Sequence, residues 1–143
     1  MKEKGVYRII DANLNRCREG LRVVEDIFRF LLADDTLRRK VRAVRHSLDK
    51  VPQASLRTRL LQARDSVDDL GKKADSLEMK RSNVADVFYI NVQRAKESLR
   101  VLEEFLKLTD SDCVKTIKKA RYGLYTVEKK AHRKWTALRN FRS

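Results

Sequence analysis

Two stretches of the chain carry the same polar side chains in the same order. Residues 13–28 read NLNRCREGLRVVEDIF, and residues 91–106 read NVQRAKESLRVLEEFL. Seven of the sixteen positions coincide. Leu21/Leu99 and Val23/Val101 are apolar, but Asn13/Asn91, Arg16/Arg94, Glu19/Glu97, Arg22/Arg100 and Glu25/Glu103 are polar or charged. A packing requirement repeats apolar positions and lets polar ones drift, so this repeat points to one set of chemical groups presented twice. Arginine suits phosphate oxygens because its planar fork donates two hydrogen bonds at once. Carboxylates can hold Mg²⁺, which bridges to substrate phosphates. Asparagine can orient a heterocycle through its donor and acceptor.

Helical geometry decides which of these groups can meet. At about 100° per residue, Asn13 sits at the edge of the apolar stripe of its segment, and Arg16 and Glu19 continue outward on the same side. That edge can line a groove between helices, with Asn91, Arg94 and Glu97 lining it from the other copy. The plain structural alternative is an Arg16–Glu19 surface ion pair at i,i+3 and an asparagine that fixes register. Arg22, Glu25, Arg100 and Glu103 fall on the opposite side, in solvent or at a second helix contact.

The elements that must position these groups are helices. The first is expected from about Val6 to Ala33, with Ile10, Leu14, Cys17, Leu21, Val24, Phe28 and Leu31 spaced four and three apart. Phe88, Val92, Ala95, Leu99, Leu102 and Leu106 repeat that stripe. Asp34 or Asp35 can cap a second helix bearing Leu37, Val41, Val44, Leu48 and Val51, closed by Pro52. Asp110 or Ser111 can cap its counterpart, bearing Cys113, Ile117, Ala120, Leu124 and Val127. Gln53 to Ala63 reads as a short helix with Leu56, Leu60 and Leu61. Lys72 to Ser82 reads as irregular, and the basic stretch from Lys129, with Trp135 and Phe141, as an extension of the last helix. The expected fold is all-α: a single helical domain over 1–143, a bundle of two pseudo-repeated long helical hairpins (about 7–51 and 85–128) plus a short connecting helix within 52–84.

The composition agrees with a helical domain. The chain has 143 residues, 42% hydrophobic, with four Gly and one Pro to interrupt helices. No apolar run is long enough to cross a membrane, and MKEKGVYRII is no signal peptide, so a cytoplasmic protein is expected. Cys17 and Cys113 fall on apolar stripes and read as core residues. The net charge of +14 attracts anions, but charged residues of both signs make up 38% of the chain. Charge alone therefore does not separate a phosphate site from a nucleic-acid surface. There is no GxxxxGK[ST] loop, no GxGxxG and no nucleophilic triad.

The ordered motifs IIDANLNRCREGLRVVED, RHSL, ARDSVDDLG, NVQRAKESLRVLEEFLK and ARYGLYTVEK resemble the helical hydroxymethylpyrimidine-phosphate kinase family of thiamine biosynthesis, over about residues 7 to 130. That family is often fused ahead of a thiamine-phosphate synthase barrel. Synthase activity is not expected of this chain alone. The resemblance implies ATP-dependent phosphorylation of 4-amino-5-hydroxymethyl-2-methylpyrimidine phosphate to the diphosphate, with ATP and Mg²⁺ bound. The matching positions include Asp11, Asn13, Arg16, Glu19, Arg45, Arg64, Asp65, Asp69, Gly71, Asn91, Arg94, Glu97 and Arg121. Asn13, Arg16, Asn91, Arg94, Arg45, Arg121 and Arg64 are assigned to substrate and phosphate. Asp65, Asp69, Glu19 and Glu97 are assigned to catalysis, with Asp65 and Asp69 on the metal. Two other readings stand beside the kinase: a noncatalytic accessory or docking module of a separate thiamine-phosphate synthase, and a basic nucleic-acid-binding bundle. Oligomeric state is left open.

Overall fold

A computed structural model describes residues 2–51, 54–72 and 80–134. The fold is all-α, with no strand among the described residues. Helix α1 spans Lys2–Asp26, α2 Asp35–Ser47, α3 Ala54–Ala63, α4 Val84–Thr109 and α5 Val114–His132. Helices α1, α2, α5 and α4 form a closed ring of four neighbours, with α3 laid against α1, and the largest interface is between α1 and α4. These two run antiparallel. Gly20 meets Asn91, whereas Phe28, further along α1, meets Phe88, earlier on α4, ring edge to face at 5.7 Å.

The apolar stripes supply the core. Ile10, Leu14, Cys17, Leu21, Val24 and Phe28 are buried with Phe88, Val92, Ala95, Leu99, Leu102 and Leu106. Leu31 departs from its expected place and is 40% exposed. The reason is a π-helical turn over Ile27–Leu31, which takes up an extra residue and rotates the stripe off the core. The chain then reverses through Ala33, at φ 51°, and the Asp34 carboxylate caps α2 by accepting the Leu37 N–H at 3.0 Å.

The second hairpin turns differently. Asp110 makes no side-chain cap, and a 3₁₀ turn at Ser111–Cys113 leads into α5. Helix α4 opens on a reciprocal cap that the sequence reading missed: Asn83 accepts the Asp86 N–H, and Asp86 accepts the Ser82 N–H. Both cysteines are buried free thiols, Cys17 pushed up to about 12 by burial, as core residues should be. Pro52, Trp135 and Phe141 lie outside the described residues. Among the described residues no helix is long and apolar enough to cross a membrane.

Candidate functional site: the groove between α1 and α4

Helix α4 lies close against α1 at Gly20, which has no side chain. A Cβ there would stand 2.9 Å from the Asn91 carbonyl oxygen and 3.7 Å from the Ala95 Cβ. The groove beside this crossing has a volume of about 570 Å³. Its α1 wall is Asn13, Arg16, Glu19, Gly20 and Val23, and its α4 wall is Asn91, Arg94, Glu97, Ser98 and Val101. Every position of the first wall has its counterpart 78 residues later in the second, with the residue unchanged except for Gly20, which is answered by Ser98. The sequence reading named three pairs of this lining. It missed Gly20 and Ser98, whose shared small size at one repeat position was the available signal. Gly71, from the chain after α3, borders the same groove.

The polar side chains of the groove differ in what they already hold. Each asparagine turns its amide nitrogen onto its own helix. Asn13 Nδ2 donates to the Ile9 carbonyl at 2.8 Å, and Asn91 Nδ2 to the Val87 carbonyl at 2.7 Å. Arg16 and Arg94 have no carboxylate within ion-pair distance among the described residues, so the Arg16–Glu19 surface pair does not form. Glu19 is likewise without a partner there, and Glu97 accepts from Gln93 at 2.9 Å. Two guanidiniums and two carboxylates therefore share one groove without neutralising each other.

Arg45 and Arg121 lie elsewhere, which corrects their assignment to this site. Both reach the opposite side of the long helices. Arg45 grips Glu25 with two hydrogen bonds, at 2.8 and 3.3 Å, and Arg121 grips Glu103 in the same two-pronged way. Arg22 and Arg100 approach the same carboxylates at 3.9 and 3.8 Å. Burial alone would push the Glu25 carboxyl up. The Arg45 hydrogen bonds and charge, with the charges of Arg22 and Arg42, overcome this and hold it below the ordinary range. The hydrogen bond to Glu103 raises Arg121 in turn. Glu25 and Glu103 are buried, so these pairs tie α1 to α2 and α4 to α5. A guanidinium held on both prongs by a buried carboxylate has little left for a phosphate.

The connecting segment is also more structural than expected. Arg64 pairs with Asp11 through bonds of 2.8 and 2.7 Å and lines a smaller recess between α1 and α3. Asp65 closes a turn by accepting the N–H groups of Asp68 and Val67, and the Asp68 hydrogen bond leads in holding its carboxyl below the ordinary range. Asp69 accepts the Gly71 N–H at 2.8 Å and comes within 4.0 Å of Arg8. Asp65 and Asp69 are not among the groove's lining. Among the described residues no three His, Cys, Asp or Glu side chains gather to hold a metal ion. The expected acidic cluster of Asp65, Asp69, Glu19 and Glu97 does not assemble, because the two aspartates face their own turn.

The profile of the ThiD2 family matches residues 8–130, which contain both walls of the groove. The chain belongs to the ThiD2 family. It is 40% identical over 124 residues to a thiamine-phosphate synthase of Nostoc punctiforme, covering 86% of this chain and 34% of that relative. A thiamine-phosphate synthase of Gloeobacter violaceus is 39% identical over 132 residues, with 92% and 38% covered. One of Rhodopirellula baltica is 34% identical over 138 residues, with 96% and 37% covered. The chain spans about a third of the length of the curated relatives it matches. No solved structure matches it.

Proposed function

We propose that this ThiD2 chain acts in thiamine biosynthesis and that its α1–α4 groove binds a phosphorylated pyrimidine. One observation carries the proposal: Arg16 and Arg94 line the groove with no acidic partner among the described residues, while Arg45, Arg121 and Arg64 are each paired. Unpaired guanidiniums beside a concave surface are the groups that receive phosphate oxygens.

Two activities share this binding step. The names of the relatives favour an accessory module that holds the pyrimidine phosphate for a thiamine-phosphate synthase. The donor set favours phosphoryl transfer from ATP to 4-amino-5-hydroxymethyl-2-methylpyrimidine phosphate. In that reaction a phosphate oxygen of the pyrimidine attacks the γ-phosphorus, the bond to the bridging oxygen of ADP breaks, and the pyrimidine diphosphate leaves with ADP. The attacking oxygen belongs to a phosphate monoester that is already anionic near neutral pH, so no general base is required. Alignment and neutralisation of charge suffice. Arg16 and Arg94 would supply both.

Mg²⁺ fits this groove only in company with a ligand. Glu19 and Glu97 offer two carboxylates, and Mg²⁺ takes one or two carboxylates together with substrate phosphates. Bound there, it would neutralise developing charge on the phosphates.

Thermal-shift and calorimetric titrations with the pyrimidine monophosphate, followed by phosphorus NMR with ATP and Mg²⁺, test the reading. Binding with diphosphate formation supports the kinase, and binding without turnover supports the accessory module. Absence of binding would overturn both.

A further inference from the structure

Both groove asparagines are fixed in the same orientation. In each, the amide nitrogen is held by the carbonyl four residues earlier, at 2.8 Å for Asn13 and 2.7 Å for Asn91. Turning either amide over would break that bond and set a carbonyl oxygen against a carbonyl oxygen. An asparagine on an open surface can rotate its amide by a half turn and so serve a ligand donor or a ligand acceptor. These two cannot: each keeps Oδ1 as an acceptor, with one remaining amide N–H, in a single orientation. The pinning recurs at the same repeat position in α1 and α4, on residues that both line the groove. It is therefore a property of the site and not of one helix.

We infer that Asn13 and Asn91 are specificity-determining residues that select a phosphorylated heterocycle bearing an exocyclic amine over its oxo counterpart. This rests on the phosphate-binding reading of the groove. An amino group beside a ring nitrogen presents a donor followed by an acceptor. An oxo group beside a ring N–H presents the reverse order. With the phosphate fixing the pose, an Oδ1 acceptor facing the exocyclic position meets the amine with a hydrogen bond and the oxo oxygen with two opposed lone pairs. Sites built to pair with one polar group reject the analogue that leaves theirs unpaired. Arg16 and Arg94, one turn along each helix, would hold the phosphate in either case, so affinity for phosphate and choice of ring are separable.

The separation makes the inference testable. Calorimetry on the full chain would compare 4-amino-5-hydroxymethyl-2-methylpyrimidine phosphate with its 4-oxo analogue, and with inorganic pyrophosphate as a ring-free probe. The amino compound is expected to bind at least ~10-fold more tightly than the oxo compound. Asn13→Ala or Asn91→Ala should bring that ratio toward one while leaving pyrophosphate affinity within about twofold. Circular dichroism melts would confirm that the variants are folded. Equal affinity of the two rings in the native chain would overturn the inference and leave the phosphate groove standing. So would a preference unchanged in both variants. Failure of all three probes to bind would overturn the phosphate groove itself, and this inference with it.

Discussion

The long helices α1 and α4 each present two polar faces, and the contrast between them separates scaffold from site. On one face stand Arg22, Glu25, Arg100 and Glu103, where each buried glutamate is gripped by an arginine from the neighbouring helix of its own hairpin. On the other stand Asn13, Arg16, Glu19 and their counterparts, where the arginines meet no acid among the described residues. Both faces are written into the repeat with the same residue types. Recurrence therefore marks what both halves keep, but not why they keep it. The distinction lies in the neighbours: a charge answered from within the fold stabilises it, and a charge left open in a concavity is available to a ligand.

Substitutions on the two faces should fail in opposite ways. On the groove face, Arg16→Ala or Arg94→Ala should weaken binding of the pyrimidine monophosphate at least ~10-fold and, on the kinase reading proposed above, lower kcat/KM for diphosphate formation by at least ~100-fold, as expected when a transition-state charge contact is lost. The melting temperature should stay within about 3 °C, because exposed side chains away from caps and core change stability little. Steady-state kinetics beside a thermal melt reads both. On the scaffold face, Arg121→Ala leaves Glu103 buried with Arg100, at 3.8 Å, as its remaining ion-pair partner among the described residues. It should cost about 3 kcal/mol of stability by urea denaturation, with activity per folded molecule retained. A catalytic defect in folded Arg121→Ala would erase the contrast.

Gly20 sits on the groove face, against Asn91 and Ala95 of α4. Gly20→Ala must push its Cβ against the Asn91 backbone oxygen, so the helices have to part. A loss of about 1–3 kcal/mol is expected, with weaker ligand binding, measured by denaturation and calorimetry. The smallest effect is on pH. The Glu25 carboxyl is held below its ordinary value, so its contribution is complete above that value, about 4.5, and is lost as pH falls through the lower folded value. Stability measured in acid should therefore fall less steeply in Glu25→Gln than in the native chain.

Much of the groove was legible in the sequence because duplication repeats chemistry at a fixed offset. A helical wheel then puts Asn13, Arg16 and Glu19 on one edge. The same wheel put Glu25 and Glu103 on the far side but could not say which helix lies there. Arg45 and Arg121 enter the phosphate set through the family resemblance, whereas in the fold they answer those glutamates. The π turn at Ile27–Leu31 was hidden because the four-three spacing of apolar residues runs through it unchanged, and only backbone geometry reveals that Leu31 leaves the core. Asp65 and Asp69 looked like metal ligands by type. Their local N–H partners, at Val67, Asp68 and Gly71, are set by a turn that side-chain chemistry alone does not specify.

The most direct test is equilibrium binding of the pyrimidine monophosphate to the Arg16→Ala/Arg94→Ala double variant, with Arg45→Ala as the scaffold-face control, measured by isothermal titration calorimetry on chains verified as folded. The account predicts that the double variant loses at least ~100-fold in affinity while the control binds within about threefold of the native chain, since hydrogen bonds to charged groups contribute about 1.5–3 kcal/mol each. Native-like binding by the double variant, or a comparable loss in the control, would contradict the assignment of the open face to phosphate.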